Sequence, residues 1–430
     1  MKQLALVSLV ESIPGPMQGP LNLVYLGSWV QSKLPDWRVT IVDAHWENPV
    51  ETLLHWPFDA IGISSMTVTW PAARELARHL KDYGCKTPIL IGGVHVTSCP
   101  ESFAGEFDIP FFGESELSLV EYLETGTVNR DCPPVDLSQY PDLDWKLLTR
   151  GYHRPQWSRF WRDKVSEGTL VTARGCPFRC RFCSPAILSK KCKLYPANWV
   201  VRQIAALAER GATHLLLVDE LFAVRIHRLQ EIATGFEGAG LRNRIKAIVV
   251  NARADVLTPE VCDLLRSMNV SRVMFGWESG CDRVLHYLKK GSSSVAANNR
   301  SIKLCRQSGL RPVGSVMLGS PTETLPEMIQ TSLWALQAWL LGADDIVFYP
   351  SIPFPGTEFW AIAKSRGKVS SNMDFARLAI HTKIIGDAML IDIPRWQFAL
   401  LFAFANLCLL PFKIKKLAQC LFAWLCRPQT

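Results

Sequence analysis

The chain has 430 residues and a mass of 48.3 kDa, too long for one ordinary core, so two or three domains are expected. With 48% apolar and 20% charged residues it has the composition of a globular protein, which excludes a disordered or fibrous one. The formal charge of +8 is spread out; it permits an anionic ligand or a membrane surface and gives no reason to expect nucleic acid as a partner.

The first 125 residues alternate apolar runs with helical spacing. Leu4–Leu9, Val39–Val42, Ala60–Ser64, Pro88–Ile91 and Ile109–Phe112 read as strands, and Leu21–Lys33, Trp70–Asp82 and Glu116–Glu124 as helices. Five strands alternating with helices predict a doubly wound parallel sheet, which binds ligands outside the carboxyl ends of its strands. The loops at those ends carry Pro14-Gly-Pro-Met-Gln-Gly19, Ser64-Ser-Met-Thr67, Gly92-Gly-Val-His95 and Gly113-Glu-Ser-Glu116. Paired glycines there let a bulky ligand approach the backbone. A proline-rich and acidic stretch, Cys132 to Trp145, then reads as a semi-extended connector.

Cys176, Cys180 and Cys183 follow in the run Thr172-Ala-Arg-Gly-Cys-Pro-Phe-Arg-Cys-Arg-Phe-Cys-Ser-Pro185. A cubane iron–sulfur cluster in a closed electron-transfer site uses four thiolates; three leave one iron open to a small molecule. Arg174, Arg179 and Arg181 are expected to surround the cluster with positive charge. The competing reading is a zinc knuckle, which needs a fourth ligand such as Cys192 or His153. Thirteen cysteines and no visible signal peptide favour reduced thiols and a cytoplasmic location.

From Thr169 to about Pro353 strands and helices alternate again. The strand candidates are Thr169–Thr172, His214–Val218, Lys246–Asn251, Arg272–Gly276, Val313–Leu318 and Ile346–Tyr349. Helical patterns occupy Trp199–Arg210, Pro259–Met268, Val295–Ser308 and Glu323–Leu341. Six such units suggest a partial TIM-like barrel with its chemistry at the carboxyl ends of the strands. Polar residues gather there: Asp219 and Glu220, Arg253 and Asp255, Glu278 and Ser279, and Ser320 to Glu323.

In the tail, Phe398–Phe412 is apolar on every side and, at 15 residues, too short to span a bilayer. Lys413, Lys415 and Lys416 follow it, then an apolar stretch with Trp424. A buried capping helix is one reading. Peripheral membrane contact through 398–425 is the other, and it hints at a lipid or pigment substrate.

The C-x3-C-x2-C run, with Phe182 before its last cysteine, resembles the radical S-adenosylmethionine (SAM) enzymes. That resemblance implies a [4Fe-4S] cluster held by Cys176, Cys180 and Cys183, with SAM chelating the open iron and cleaved to a 5′-deoxyadenosyl radical. Asp219-Glu-Leu-Phe222, Asn251-Ala-Arg-Ala-Asp255, Phe275-Gly-Trp-Glu-Ser-Gly280, Met317-Leu-Gly-Ser-Pro-Thr-Glu-Thr324 and Pro353-Phe-Pro-Gly-Thr357 resemble further wording of the family. For SAM, Glu278 and Ser279 suit the ribose, Arg253 the carboxylate, and Asp219 or Glu220 the ammonium. The wording Gly92-Gly-Val-His-Val-Thr-Ser-Cys-Pro-Glu101 is similar to the cobalamin-binding domain that precedes many of these barrels. It implies that Ser64, Ser65, Thr67, Gly92, Gly93 and His95 house the cofactor's nucleotide tail. The loop from Ser8 to Gly19 has no histidine, so no histidine ligand to cobalt is expected; Asp43-Ala-His45 follows the wrong strand.

The resemblance covers about residues 1–357. It implies a cobalamin-binding-like domain over 1–130, a linker over 131–165 and a radical SAM core over 166–357; residues 358–430, which it does not cover, read as a helical region. It also implies a C-methyltransferase acting on an unactivated carbon of a small molecule, using SAM both for the radical and to methylate cobalamin. A flavodoxin, ferredoxin or reductase would donate the electron. The alternatives are a cyclase, hydroxylase or rearrangement enzyme with the same cofactors, and a radical SAM enzyme whose first domain only docks a partner.

Overall fold

The structure, a computed structural model, describes residues 1–9, 19–103, 105–129, 131–148, 152, 155–158, 161, 163–184, 191–379, 390–391, 393–412 and 414. The glycine-containing loop over 14–18, His153 and the tail beyond Ile414 lie outside the described residues.

The first sheet contains β1 (Lys2–Ser8), β2 (Trp37–Asp43), β3 (Ala60–Ser64), β4 (Ile89–Gly92) and β5 (Ile109–Pro110), in the order β2-β1-β3-β4-β5 and parallel throughout. Its chain reverses direction across the sheet between β1 and β3, the point at which doubly wound sheets open a crevice. The crossovers are α1 (Leu21–Lys33), α2 (Pro49–His55), α3 (Trp70–Asp82) and the short α4 (Val94–Ser98), with α5 (Glu116–Thr125) after β5. Both faces are covered, so the strands are continuously apolar: Leu4, Ala5, Leu6 and Val7 are all buried.

A hairpin, β6 (Gln156–Ser158) with β7 (Asp163–Val165), leads into the second sheet. That sheet joins β8 (Glu167–Leu170), β11 (His214–Leu217), β12 (Ala247–Ala252), β13 (Val270–Glu278), β14 (Arg311–Leu318) and β15 (Asp345–Pro350) in sequence order, all parallel. Six parallel strands with outer helices make the expected partial barrel. The ladder β9 (Ala173–Arg174) with β10 (Lys193–Leu194) brackets the cysteine loop. Between strands run α6 (Ala197–Glu209), α7 (Ile226–Gly238), α8 (Pro259–Ser267), α9 (Asp282–Lys289), α10 (Val295–Gln307) and α11 (Leu325–Leu340), followed by α12 (Glu358–Ser365) and α13 (Arg395–Cys408). Helix starts are set by side chains: Thr258 accepts from Val261 N, Ser294 from Ala297 N and Thr357 from Trp360 N.

Helices α2, α4, α7 and α9 escape the sequence pattern, α2 and α4 being only seven and five residues long. In α7 the signal was present, since Leu229, Ile232 and Phe236 are buried at helical spacing. Helix α9 is only eight residues long, too short for periodicity to declare it. The connector is also less loose than its prolines suggest. Val135, Leu137, Tyr140, Leu143, Trp145 and Leu147 are buried in the core that the first sheet shares with the barrel.

Candidate active site

Gly175, at φ +82°, turns the chain out of β9 and into the cysteine loop. The loop is fixed from both sides. Arg181 N donates to Leu288 O at 2.9 Å, Arg181 Nε to Tyr287 O at 2.9 Å, and Glu358 N to Arg181 O at 3.1 Å; the Arg181 guanidinium also pairs with the Glu358 carboxylate. Cys176, Cys180 and Cys183 are free, half-buried thiols. Burial pushes the Cys176 thiol up and that of Cys183 to about 12, so metal binding would have to displace their protons.

The arginines differ from expectation. Arg181 anchors the loop as described. Arg174 turns away to Glu116 Oε1 at 2.5 Å, with Tyr25, Tyr140 and Tyr195 rings around its guanidinium. Arg179 is exposed. The cation beside a thiol is instead Arg253, whose Nη1 lies 3.6 Å from Cys180 Sγ and whose guanidinium stacks 3.6 Å above the Phe178 ring. Charge had to come from another strand end because each nearer arginine already has a partner or faces water.

Adjacent residues on a strand end point to opposite sides, and Asp219 and Glu220 divide accordingly. The Asp219 carboxylate is fully buried and accepts from Thr172 N and Thr172 Oγ1 at 2.5 Å each and from Ala173 N at 3.1 Å. Burial holds it up to about 6 against those bonds. It braces the strand that delivers the cysteines. Glu220 opens into the cavity described below, and its surroundings raise its carboxyl above the usual range.

Glu278 and Ser279 divide likewise. The register between β13 and β14 slips between Gly276 and Glu278, and Glu278 takes φ +63°, a conformation that costs a non-glycine residue about 1–2 kcal/mol. Its carboxylate folds back so closely that a Cβ on Gly276 would lie 2.1 Å from Glu278 Oε1. Burial raises the carboxyl, opposed by the Lys289 and Arg253 charges. Ser279 Oγ lies 2.8 Å from Thr331 Oγ1 and accepts from Cys281 N at 3.1 Å, so it ties the barrel end together. Arg253 holds Asp255 at 3.1 Å and Ser292 O at 2.9 Å.

A cavity of about 610 Å³ lies between the two sheets. Ser8, Ser64, Ser65, Gly92 and Gly93 of the first sheet's strand ends form one wall, and Ala173, Arg174, Gly175, Val218 and Glu220 of the barrel form the other. Its size and mostly apolar lining with a few polar groups are those of a cofactor site. Ser64 Oγ accepts from Asn22 Nδ2 at 2.8 Å. Gly93, at φ +104°, packs so tightly on the β3 loop that a Cβ would lie 2.5 Å from Ser65 O.

Thr67 and His95 are placed behind that wall rather than in it. His95 is fully buried, with its ring centroid 4.5 Å from that of Trp70 and 4.4 Å from that of Phe375. Its Nε2 lies 3.0 Å from Ser102 Oγ, which itself donates to Cys99 O, and its Nδ1 lies 3.3 Å from Thr67 Oγ1. Nε2 therefore donates, Nδ1 accepts, and the ring is neutral; burial lowers its pKa to about 4. His45 lies 3.3 Å from Asp43 at the surface. Sequence reasoning passed over Asn22 and Tyr25, which do line the cavity from α1. Their only signal was that this helix follows β1.

The residues fit the cofactors on three counts. The cavity joins the carboxyl ends of the first sheet's strands to Gly175, at the start of the cysteine loop. Among the described residues no other side chain hydrogen-bonds the carboxylates of Glu220 and Glu278, Glu220 being held only by backbone N–H groups, that of Gly175 among them. No three His, Cys, Asp or Glu side chains among the described residues converge on a single ion. A cluster that takes each cysteine on a different iron needs no such convergence, whereas zinc does.

A doubly wound sheet facing a partial barrel with this loop defines a class, that of radical SAM enzymes with a corrinoid-type domain in front. The comparisons agree. Residues 170–335 match the Radical SAM superfamily and residues 14–123 the B12 binding domain. An uncharacterized methyltransferase of Pyrococcus horikoshii is 26% identical over 384 residues, 83% of this chain and 81% of that protein. The bacteriochlorophyllide d C-8(2)-methyltransferase of Chlorobaculum tepidum is 22% identical, covering 82% and 78%. Among solved structures, the radical SAM methyltransferase TsrM of Kitasatospora setae, with cobalamin and a [4Fe-4S] cluster bound, superposes with a TM-score of 0.68 at 18% identity, covering 86% and 76%; this likeness is one of fold. The chain thus combines the two domains of the cobalamin-dependent radical SAM enzymes, a B12 binding domain followed by a radical SAM domain.

Proposed function

We propose that this chain is a C-methyltransferase acting at an unactivated carbon of a small molecule of lipid or pigment type. The observation that carries the reading is the single cavity walled by Ser64, Ser65, Gly92 and Gly93 on one side and by Gly175 and Glu220 on the other. It would bring a corrinoid and a SAM-bound cluster face to face. Support for methyl transfer and for a pigment-like substrate comes from the two methyltransferase relatives, one named for a bacteriochlorophyllide.

When bound, the cluster with SAM supplies a hydrogen-abstracting radical and cobalamin a transferable methyl group. The chain's own part is to hold and orient. Cys176, Cys180 and Cys183 would take three irons, and the Arg253 guanidinium beside Cys180 would offset thiolate charge. Glu220 and Glu278 would accept from the ammonium and ribose hydroxyls of SAM. Arg253 would need to release Asp255 or Ser292 to reach a carboxylate. Ser64, Ser65, Gly92 and Gly93 would cradle the cobalamin tail. In domain terms, 1–130 would be the cobalamin unit, 131–165 the linker, 166–357 the radical SAM core and 358–430 the helical region.

The test is anaerobic purification with cluster reconstitution and hydroxocobalamin. Iron, cobalt and 5′-deoxyadenosine formed from SAM with dithionite are then measured. Four irons and one cobalamin per chain are expected, with SAM cleavage falling to background in each of Cys176→Ala, Cys180→Ala and Cys183→Ala. A product heavier by one CH2 supports methyl transfer. SAM cleavage without retained cobalt would remove methylcobalamin from the mechanism.

A further inference from the structure

The last described helix has two apolar faces, and among the described residues only one is covered. Helix α13 continues as a helical run to Phe412, 18 residues with a mean hydropathy of 1.3. Phe398, Leu401, Phe402, Ala405, Leu409 and Phe412 are buried against the barrel. On the opposite side Trp396 (63% exposed), Leu400 (63%), Phe404, Leu407 (59%), Leu410 and Ile414 face outward. At about 100° per residue these six fall within an arc of about 120°, one continuous stripe along the whole helix. Every exposed position from Trp396 to Ile414 among the described residues is apolar.

Helix α11 widens the stripe. It packs beside α13. A Cβ on Gly319, just before α11, would lie 3.0 Å from the Phe398 ring near the start of α13. At the far ends the Trp339 and Phe412 rings are 5.7 Å apart, so the helices run side by side in the same direction. The outward residues of α11 include Ile329, Leu333 and Leu340, and none of its exposed positions is charged.

Charge identifies what covers this face. From Ile393 to the last residue, Thr430, the sequence has no aspartate or glutamate, but it has Arg395, Lys413, Lys415, Lys416 and Arg427. Five positive charges, against a net +8 for the whole chain, thus sit on 38 residues otherwise rich in leucine, phenylalanine and tryptophan. A second copy of the chain laid on the stripe would bring these cations together with no acid to answer them. An apolar stripe with a tryptophan near its start and lysines directly after it suits the boundary of a bilayer with anionic headgroups. The run of 18 residues is longer than the 15 read from the sequence and, by length and composition alone, enough to cross a bilayer. Lying in the surface fits the structure better, because a span would pull Phe398, Leu401, Phe402 and Leu409 off the barrel.

We propose that the outer face of α11 and α13 docks the enzyme on an anionic lipid surface, the lysines that follow Phe412 in the sequence supplying the positive charge. Because α13 starts beside Gly319, docking holds the carboxyl end of β14 near the membrane. The surface is independent of the methyl-transfer reading and stands whichever product the enzyme makes.

The experiment is anaerobic co-sedimentation of the full-length protein with phosphatidylcholine vesicles, with and without phosphatidylglycerol. Binding to the anionic vesicles is expected, weakening as salt is raised. Replacing Lys413, Lys415 and Lys416 with glutamine should weaken it about fivefold per lysine. Leu400→Glu, Phe404→Glu and Leu407→Glu combined should reduce it by roughly tenfold or more. All three are surface residues, so melting temperature and SAM cleavage should be unchanged. Three results would overturn the proposal. Vesicle binding that survives the glutamates would place the contact elsewhere. A dimer that the glutamates dissociate, with no vesicle binding, would make the occupant a second copy. A monomer that ignores both kinds of vesicle would mean the chain's own tail covers the stripe.

Discussion

Gly92 and Gly93 are neighbours with different duties, and substitution separates them. Gly93 combines φ +104° with a Cβ position 2.5 Å from Ser65 O and 2.8 Å from Ser65 N, so an alanine there must push backbone against backbone. Gly92 would meet nothing closer than Phe111 at 3.8 Å, and its open side is the cavity. Gly93→Ala is expected to destabilise the first sheet by roughly 2 kcal/mol or more, seen as a lowered melting temperature without cofactor. Gly92→Ala should leave that temperature nearly unchanged and weaken cobalamin retention instead. Equal melting losses from both would contradict the division. At this scale the sequence was most legible where spacing along the chain dictates chemistry, as in the three cysteines. It was least legible where neighbours part company. Only one of Asp219 and Glu220, and only one of Glu278 and Ser279, keeps its side chain free of hydrogen bonds to other side chains, and no one-dimensional pattern says which.

At the scale of elements, strands and long helices emerge from their apolar periods, while the pieces that aim the chemistry do not. The bulge at Gly276 to Glu278, the two-residue ladder of β9 and β10 and the grip of α9 on Arg181 rest on pairings between distant segments. His95 is such a pairing. It joins the loop after β3, through Thr67, to the segment at Ser102 and to Phe375, which lies beyond the barrel. Its folded pKa, near 4, is below the ordinary 6.5, so the unfolded chain takes up a proton first as the solution is acidified. The neutral ring's contribution is therefore complete above about pH 6.5 and is lost progressively toward pH 4, up to roughly 3 kcal/mol. Melting temperature against pH should fall between 6.5 and 4 in the native protein. In His95→Gln, lower throughout, that part of the slope should be missing. An unchanged slope would show that His95 is not the titrating group.

Over the whole molecule, the linear order of segments misleads about what folds with what. Reading along the chain gives a sheet, a connector, a barrel and a tail. The packed interior of the described residues instead has two cores, each drawing on both halves. One combines Leu4, Leu6 and Trp29 with Tyr140 and Trp145 of the connector and Trp199, Leu215 and Ile248 of the barrel. The other combines Val7, Ile63, Trp70 and Phe107 of the first sheet with Val284 and Leu288 of α9 and with Phe359, Trp360, Phe375 and Leu378 after the barrel. Phe375 lies 6.1 Å from the Trp360 ring and 4.4 Å from His95, so the segment beyond the barrel closes over the back of the first sheet. Nothing in its composition announced this, because a few aromatics in an irregular segment have no period to detect. Separating the halves would expose both interfaces at once, at about 25 cal/mol for every Å² of apolar surface. Neither half should therefore survive alone. Chains of two domains commonly melt in steps; this one is expected to unfold in a single calorimetric transition. Phe375→Ala, at the seam, should lower that one transition as a whole, by roughly 3 kcal/mol in stability. A low-temperature step that Phe375→Ala splits from an unmoved second step would show that the barrel stands without the first sheet.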